Sequence, residues 1–350
     1  MKVAILFDGV SALGAAPDLL ILGTVEAVEQ ILVDDGATTV RIPVNPDGRW
    51  IERIRRGKFD LAFNLVEGID SVAALEPAVI AVFELFGLPY TGSSSATTSL
   101  ALRKHVVNSL LERAGLPVPA WRVARPGASI DPIAFPAICK PAAEDASIGI
   151  EQRSVVRSAR ALGTRLREMH ERWDEVLVQQ FVDGREVNVG ILGDEVLPVA
   201  EIDFGAMPKG MWRIVSYTSK WHVGCEEDLG AKPRCPADLP EELAAECQRI
   251  ALAAWRAIGG SGYGRVDMRI DANGQPWILE VNANPDIAPD AGLARMARTV
   301  GIEYPDLIRT VCAKAFTATP RMDVANAWAL AERLSGATPP LLDLLVVGQR

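Results

Sequence analysis

The sequence is poor in the residues that build zinc and disulfide sites. It has three histidines among 350 residues, and its five cysteines are odd in number and form no Cys-x-x-Cys pair. A zinc site usually needs several such ligands, and a disulfide framework needs an even set of cysteines at patterned spacing. We therefore expect no zinc site, and we expect reduced thiols, which are typical of a cytoplasmic protein.

Long apolar runs and basic runs are missing as well. No stretch approaches the ~20 consecutive apolar residues of a membrane helix. Met1-Lys2 leads directly into a buried-strand pattern instead of a signal peptide. The formal net charge is −9, with no basic segment to offset it, which argues against general nucleic-acid binding. We expect a cytoplasmic protein that acts on small molecules, without nucleic-acid or membrane partners.

The chain is long enough for more than one core, and its patterning divides it into four parts. A length of 350 residues predicts two or three domains. Strand and helix patterns alternate over residues 1–98, which predicts a parallel α/β domain. Residues 99–190 and 191–316 are interpreted as two mixed α+β units, and residues 317–350 as a tail with two apolar patches.

Two acids lie at the ends of predicted strands in the first part. Asp8 follows the strand 2–7, and Glu67 follows the strand 60–66. Ligands of open α/β sheets bind beyond the carboxyl ends of the strands, so both acids are candidate substrate contacts. Helix capping or solvation of a loop is the alternative for each.

The most informative segment is a predicted β-hairpin over residues 264–284. Asn273-Gly274 is a favoured two-residue turn, and centring the hairpin there places Asp267 opposite Glu280 and Arg265 opposite Asn282. Because side chains alternate along a strand, these four share one polar face. The other face is predicted to be a core layer made of Val266, Met268, Ile270, Trp277, Leu279 and Val281.

Two carboxylates in direct opposition repel each other across a strand pair. A hard divalent cation removes this repulsion, because Mg²⁺ binds carboxylate oxygens and leaves positions for phosphate and water. A solvated face with two unrelated acids is one alternative. A carboxylate pair for glycoside hydrolysis is another, although it does not account for Arg265 and Asn282.

A phosphate ligand needs cations and backbone amides around it. Lys104, Lys140 and Lys220 lie at segment junctions, and a loop of small residues, 142–149, follows Lys140. Small residues let backbone amides approach phosphate oxygens. The loop matches neither the Walker pattern nor Gly-x-Gly-x-x-Gly, so it indicates a phosphate site only together with the hairpin. The segment 204–236 is predicted to be an irregular lid.

In combination these motifs resemble the ATP-grasp superfamily. The motifs are Lys140-Pro141 with its loop, 176–182 before Gly184-Arg185-Glu186, Gly264-Arg265-Val266-Asp267 and Leu279-Glu280-Val281-Asn282. Within the superfamily the chain is similar to the D-alanine–D-alanine ligases over residues 1–316, through the segments 88–92, 115–119 and 235–237. The resemblance implies an ATP-grasp fold of α/β and α+β class. In it, an N-terminal parallel α/β domain precedes central and C-terminal α+β domains that sandwich the nucleotide.

The resemblance also implies roles for individual residues. The residues implied to bind ATP are Lys104 and Lys140 at the phosphates, Ser147 in the phosphate loop, Gln179, Gln180, Phe181 and Val182 at the adenine hinge, Glu186 at the ribose, and Lys220 on the mobile loop. The implied ligands of two Mg²⁺ ions, with Mn²⁺ as an alternative metal, are Asp267, Glu280 and Asn282. Arg265 and Lys220 are the implied catalytic residues, and a homodimer is implied as well.

The implied reaction joins a small-molecule carboxylate to an amine through an acyl phosphate. The residues at the positions that bind substrate in the D-alanine enzymes are different in this chain. No glutamate follows the first strand, where Asp18 is the candidate substitute, and Glu67-Gly68 replaces a His-Gly pair. Ala146 stands at a usual serine position of the phosphate loop, and the serine expected after the segment 282–285 is missing.

These departures favour a substrate pair other than two D-alanines. The candidate contacts for an amine-bearing substrate are Asp18, Glu67, Glu76 and Asp286. Two alternatives stay open, a true D-alanine–D-alanine ligase with rearranged substrate contacts and a nucleotide sensor without catalysis.

Overall fold

A computed structural model describes residues 1–9, 16–70 and 72–318, apart from the side chains of residues 16–20 and 317–318. The side chain of Asp18 and the predicted tail therefore lie outside the described part of the structure. Across the described residues, we find no helix that combines the length and the apolar character needed to span a membrane.

Strands and helices cover most of the described chain. The strands are β1 (Lys2–Asp8), β2 (Thr38–Val44), β3 (Leu61–Leu65), β4 (Trp121–Ala124), β5 (Ala137–Pro141), β6 (Val155–Val156), β7 (Val176–Gln180), β8 (Arg185–Leu192), β9 (Glu195–Val196), β10 (Ala200–Asp203), β11 (Lys232–Arg234), β12 (Tyr263–Ile270) and β13 (Pro276–Asn282). The helices are α1 (Ala16–Asp34), α2 (Arg49–Gly57), α3 (Glu76–Phe86), α4 (Ser95–Leu102), α5 (Lys104–Arg113), α6 (Ala159–Met169), α7 (Tyr217–Trp221), α8 (Glu226–Leu229), α9 (Glu241–Ala257), α10 (Gly292–Thr299) and α11 (Tyr304–Ala318).

The first sheet is parallel, as the alternation of strand and helix predicts, and has the order β2-β1-β3. Alternate residues of β1 enter different cores. Val3 and Ile5 belong to the cluster that includes residues of α1, whereas Leu6 packs with Ile80 and Phe83 of α3. Because both faces are covered, the sheet leaves its carboxyl edge, with Asp8 and Glu67, as the place for a ligand.

Two antiparallel sheets follow along the chain. One has the order β4-β7-β5-β6, and the other has the order β11-β10-β8-β12-β13, with β9 paired to β8. Helix α9 packs on the second of these sheets through Trp255 and Ile250, which join Val266 and Met268 in one buried cluster. The mixture of one parallel and two antiparallel sheets in the described residues confirms the predicted fold class.

Residues 95–113 form two helices with a break between them. Ser94 caps α4 by accepting a 3.1 Å hydrogen bond from the Thr97 amide. The break falls at Arg103, whose backbone is non-helical (φ −91°, ψ 77°). Lys104 therefore begins α5, and its amide donates to the Ala142 carbonyl at the start of the phosphate loop.

The segment 204–236 is also more regular than predicted. It contains α7, α8 and β11, and β11 pairs with β10 at the edge of the sheet. Ser216 caps α7 by accepting from the Ser219 amide at 3.0 Å. The segment is thus an ordered cover whose one edge is fixed to the sheet.

The hairpin of β12 and β13 has the predicted register near its polar end. Asp267 lies opposite Glu280, and Arg265 lies opposite Asn282. The turn is longer than predicted, because a five-residue loop, 271–275, joins the strands, with Gly274 in the left-handed region (φ 80°). Asp271 accepts from the amides of Asn273 and Gln275 and so closes this loop.

A bulge between Asp267 and Met268 corrects the register, with Leu279 as the extra residue. As a consequence the predicted core layer is wrong on β13. Ile278 and Val281 are buried there, whereas Trp277 and Leu279 are only partly buried. The Trp277 indole instead donates to the Asp271 carboxylate at 3.0 Å.

We expect Ile278→Ala to cost about 2–5 kcal/mol in the free energy of unfolding, because it leaves a cavity in the core beneath the hairpin. Leu279→Ala should cost clearly less, since the bulge directs Leu279 out of that core. Urea denaturation of the two variants measures the difference. A larger cost for Leu279→Ala would contradict the bulged register.

Candidate active site

A cleft of about 1400 Å³ opens where the three sheets meet. Residues of β1, β5 and β12 contribute to its wall. It brings together every described residue that the sequence predicts for the site: Glu67, Glu76, Lys104, Lys140, Ser147, Gln179, Gln180, Phe181, Val182, Glu186, Lys220, Arg265, Asp267, Glu280, Asn282 and Asp286. A single concave site with convergent polar groups is the usual form of a small-molecule site.

Asp267 lies at the centre of the polar face of β12. Arg265 donates to both of its carboxylate oxygens, at 2.7 and 2.8 Å. Asn188 and Asn282 add one hydrogen bond each, at 2.7 and 2.9 Å. Burial alone would raise the pKa of Asp267, but the charge and hydrogen bonds of Arg265 outweigh it and lower the pKa. Asp267 is therefore a carboxylate at neutral pH.

The backbone next to Arg265 packs closely on α9. A Cβ atom at Gly264 would lie 2.3 Å from the Trp255 ring, so only glycine lets β12 pack this closely on α9. The neighbouring Arg265 then projects into the cleft beside Asp267. The Gly-Arg-x-Asp spacing thus has a packing cause as well as a chemical one.

Glu280 faces two lysines that come from other elements. Lys104, only 4% exposed, lies 3.5 Å from Glu280 and donates to Asp145 at 2.8 Å. Burial would lower the pKa of Lys104, but the charges of Asp145 and Glu280 raise it. Lys140 donates to the Leu279 carbonyl at 3.3 Å, and burial lowers its pKa to about 8. Burial also raises the pKa of Glu280, against the effect of both lysines.

The donors around Asp267 fit a hard divalent cation in an open site. The described residues contain no cluster of three or more His, Cys, Asp and Glu side chains that could enclose a metal. Asp267, Glu280 and Asn282 supply oxygen donors on one face and leave the remaining positions to phosphate and water, as Mg²⁺ prefers. Because the Asn282 amide nitrogen donates to Asp267, the amide would have to turn before its carbonyl oxygen could hold such an ion.

The phosphate loop and the cover segment close one wall of the cleft. Ala146 and Ser147 have left-handed backbones (φ 54° and 61°), and turns of this kind can present successive amides to an anion. Ser147 donates to the Val215 carbonyl at 3.0 Å, and the Trp221 indole donates to the Ala146 carbonyl at 3.0 Å. Lys220 of α7 is exposed and lines the same cleft.

An apolar slot forms the opposite end of the cleft. Phe181 packs with Val155 and Ile214, and its ring meets Trp212 edge-on at 5.1 Å. Gln179 is buried, whereas Gln180 at the end of β7 is exposed. Flat apolar walls with few polar groups are suited to a planar heteroaromatic ring.

Sequence reasoning missed Arg269, which lies at the border of this slot. It is 2% exposed and donates to Glu186 at 2.8 Å, to the Val182 carbonyl at 2.9 Å and to the Arg213 carbonyl. Its guanidinium also lies 4.7 Å from the centre of the Phe181 ring. Alternation along β12 was the available signal, because Arg265, Asp267 and Arg269 share one face. Asn188 was missed as well. It lies two positions after Glu186 on β8, so alternation places both side chains on the same face.

The remaining end of the cleft is acidic. Asn284 donates to Glu76 at 3.0 Å and to the Val66 carbonyl at 2.9 Å, which links the segment after β13 to α3 and to the end of β3. Burial raises the pKa of Glu76 well above its ordinary value, and the charge of Asp145 adds to the effect. Glu67 is open to the cleft, yet the surrounding walls desolvate it and raise its pKa, while Lys220 acts in the opposite direction. Asp286 also lines this end.

Comparison with known proteins relates the chain to one family. Residues 110–313 match the family model of the D-ala D-ala ligase C-terminus. The D-alanine–D-alanine ligase of Gluconobacter oxydans is 33% identical over 314 residues, covering 88% of this chain and 96% of that protein. The enzyme of the same name from Geobacter sulfurreducens is 31% identical over 319 residues, covering 90% and 94%.

A solved structure shows the same fold. The D-alanine–D-alanine ligase from Bacillus anthracis complexed with ATP superposes with a TM-score of 0.73 at 20% identity, covering 91% of this chain and 98% of that one. The predicted ATP-grasp fold is thereby confirmed, while the individual roles of the site residues stay predictions.

We expect Arg269→Lys to raise the KM for ATP about 10-fold or more with a smaller change in kcat. The three donors of a lysine ammonium lie on one nitrogen, so they cannot reproduce the span of the planar guanidinium across Glu186 and two carbonyls. Steady-state kinetics and thermal melting of the variant give the two readouts. Arg256→Lys is the matched control, since Arg256 forms an exposed ion pair with Asp194 at 2.9 Å outside the cleft. A lower melting temperature with an unchanged KM would limit Arg269 to a structural role.

Proposed function

The chain belongs to the D-alanine–D-alanine ligase family of ATP-grasp ligases, and from this premise we propose that it couples ATP hydrolysis to amide formation between a small carboxylate and an amine other than two D-alanines. The observation that carries the proposal is the opposition of Asp267 and Glu280 in one cleft with Arg265, Lys104 and Lys140. Two facing carboxylates among buried cations suit a polyphosphate that arrives with its metal.

The nucleotide extends from the slot to the hairpin in this proposal. The adenine lies among Gln179, Gln180, Phe181 and Val182, and Glu186 holds the ribose. Lys104, Lys140 and the amides near Ser147 bind the phosphates. Mg²⁺ bound by Asp267, Glu280 and Asn282 would neutralise the phosphate oxygens and keep the triphosphate aligned.

The reaction then has two steps. The substrate carboxylate attacks the γ-phosphorus of ATP, ADP leaves, and an acyl phosphate forms. The amine attacks the acyl carbon, phosphate leaves, and the amide is released. Arg265 stabilises the negative charge that develops in both steps, and Lys220 approaches the γ-phosphate from the cover segment. A closed cover protects the acyl phosphate from water.

The acidic end supports a substrate that carries an amine. Glu67 and Asp286 line the cleft beyond Arg265, and Glu76 lies behind them against Asn284. A carboxylate bound at Arg265 would extend towards these acids, which attract an ammonium group and repel a second carboxylate. Asp18 belongs to the same proposal, although its side chain lies outside the described residues.

Two other functions would share the nucleotide end. A true D-alanine–D-alanine ligase would bind the same ATP, with rearranged substrate contacts. A nucleotide sensor would not need Arg265 and Glu280 beside bound phosphates, and the complete set of charged groups therefore favours an enzyme.

We expect Glu280→Gln to lower kcat by about 10²-fold or more, because a metal ligand and its charge are lost. Stability without metal should stay close to the wild type, since repulsion from Asp267 is relieved and Lys104 keeps Asp145 as a partner. Phosphate release and thermal melting, each with and without Mg²⁺, measure the two effects.

The matched control for this variant is Glu246→Gln, which makes the same change of charge in an exposed ion pair with Arg249 on α9. Its activity should equal that of the wild type. A Glu280→Gln enzyme with full turnover would remove the metal site from the proposal.

The substrate proposal is tested by a screen of phosphate release from ATP over pairs of D- and L-amino acids and small carboxylates. We expect stimulation by a pair that includes a diamine or another cationic amino acid, and a poor response to D-alanine alone. Efficient formation of D-alanyl-D-alanine would favour the true D-alanine–D-alanine ligase. No response to any pair would favour the sensor.

A further inference from the structure

Gln179 is a buried amide that the protein itself leaves unsatisfied. The side chain is 1% exposed, and neither Oε1 nor Nε2 has a hydrogen-bond partner among the described residues. Leaving such groups unpaired is costly, because they lose their hydrogen bonds to water without replacement. Buried polar groups are nearly always paired, so an amide with two free ends in a cleft wall indicates a ligand that completes it.

The surroundings of Gln179 define the shape of that ligand. It is central in its sheet, with Trp121 on β4 and Ile138 on β5 as cross-strand neighbours. Ile138 belongs to the apolar cluster around Phe181 and Ile214, and Gln179 lines the same cleft as these three residues. A single amide in an otherwise apolar slot suits the polar edge of a planar base.

An amide offers one donor and one acceptor, and a half-turn of its terminal group exchanges them. The edge of a 6-aminopurine presents an N–H donor at position 6 and an acceptor at N1. A 6-oxopurine presents the reverse, an acceptor at position 6 and a donor at N1. Because no neighbour bonds either end of Gln179, nothing in the described wall fixes its orientation. A carboxylate at this position could only accept, and it would reject the 6-oxo group.

We propose that Gln179 reads position 6 of the purine in either orientation, so that this ligase binds inosine triphosphate nearly as well as ATP. The inference rests on the proposed function, which puts a purine nucleotide in this slot. The ligase then accepts a second class of nucleotide substrate, and Gln179 is the residue that allows the 6-oxopurine to bind.

Direct titration calorimetry with ATP and with inosine triphosphate, each with Mg²⁺, tests the inference without an amine or carboxylate substrate. We expect the two Kd values of the wild type to agree within about 10-fold, because both base edges find a donor and an acceptor. Gln179→Glu should weaken inosine triphosphate about 100-fold relative to ATP, since the carboxylate faces the 6-oxo group without a donor. A wild-type preference for ATP above about 100-fold, or an unchanged ratio in the variant, would overturn the inference.

Two further variants keep the outcome interpretable. Gln179→Leu removes both hydrogen-bonding groups and should weaken the two nucleotides equally, which covers the case in which a buried carboxylate prevents folding. Gln275→Glu adds the same charge in the hairpin loop, where Gln275 donates to the Pro276 carbonyl, and should leave the ratio unchanged. Failure of the wild type to bind either nucleotide would refute the proposed function along with this inference, whereas ATP binding alone would refute only the latter.

Discussion

The opposition of Asp267 and Glu280 is the constraint on which the rest of the cleft depends. Two carboxylates across a strand pair repel, and their desolvation adds to the cost. The fold offsets this cost with cations from three different elements: Arg265 on β12, Lys140 on β5 and Lys104 at the start of α5. Because Lys104 and Lys140 come from α5 and β5, their contacts with Glu280 and Leu279 also connect the hairpin to those two elements.

The hairpin shows why this arrangement could be predicted although its local details could not. The sequence pattern Asn-Gly predicts a two-residue turn, while Asp271 captures two amides and lengthens the loop to five residues. That change alone would have moved Glu280 to the buried face. The bulge at Leu279 restores the register, so the two departures cancel at the polar end. Alternation and turn propensity do not predict a bulge. The bulge lets both Ile278 and Val281 pack on the same core.

The face on which a residue of the site lies can be read from its own strand, whereas its partners depend on contacts between segments. The alternation along β12 and β8 would have been sufficient to place Arg269 and Asn188 on the polar face, although neither residue was predicted. By contrast, the carbonyls of Val182 and Arg213 meet Arg269 only after three distant segments have packed together. The break at Arg103 is of the second kind as well, because Lys104 enters the cleft through the contact of its amide with Ala142.

The two ends of the cleft have opposite electrostatic character, and this contrast bears on the proposed chemistry. Around the hairpin the buried cations lower the energy of phosphate, whereas near Glu67 and Asp286 the acids raise the energy of any anion. Arg265 lies at the boundary, since its charge acts on Glu67 as well as on Asp267. A substrate that offers a carboxylate to the phosphate end must therefore present something other than an anion to the acidic end. The charge distribution, more than the loss of any one substrate contact, is therefore what supports the proposal of a substrate pair other than two D-alanines.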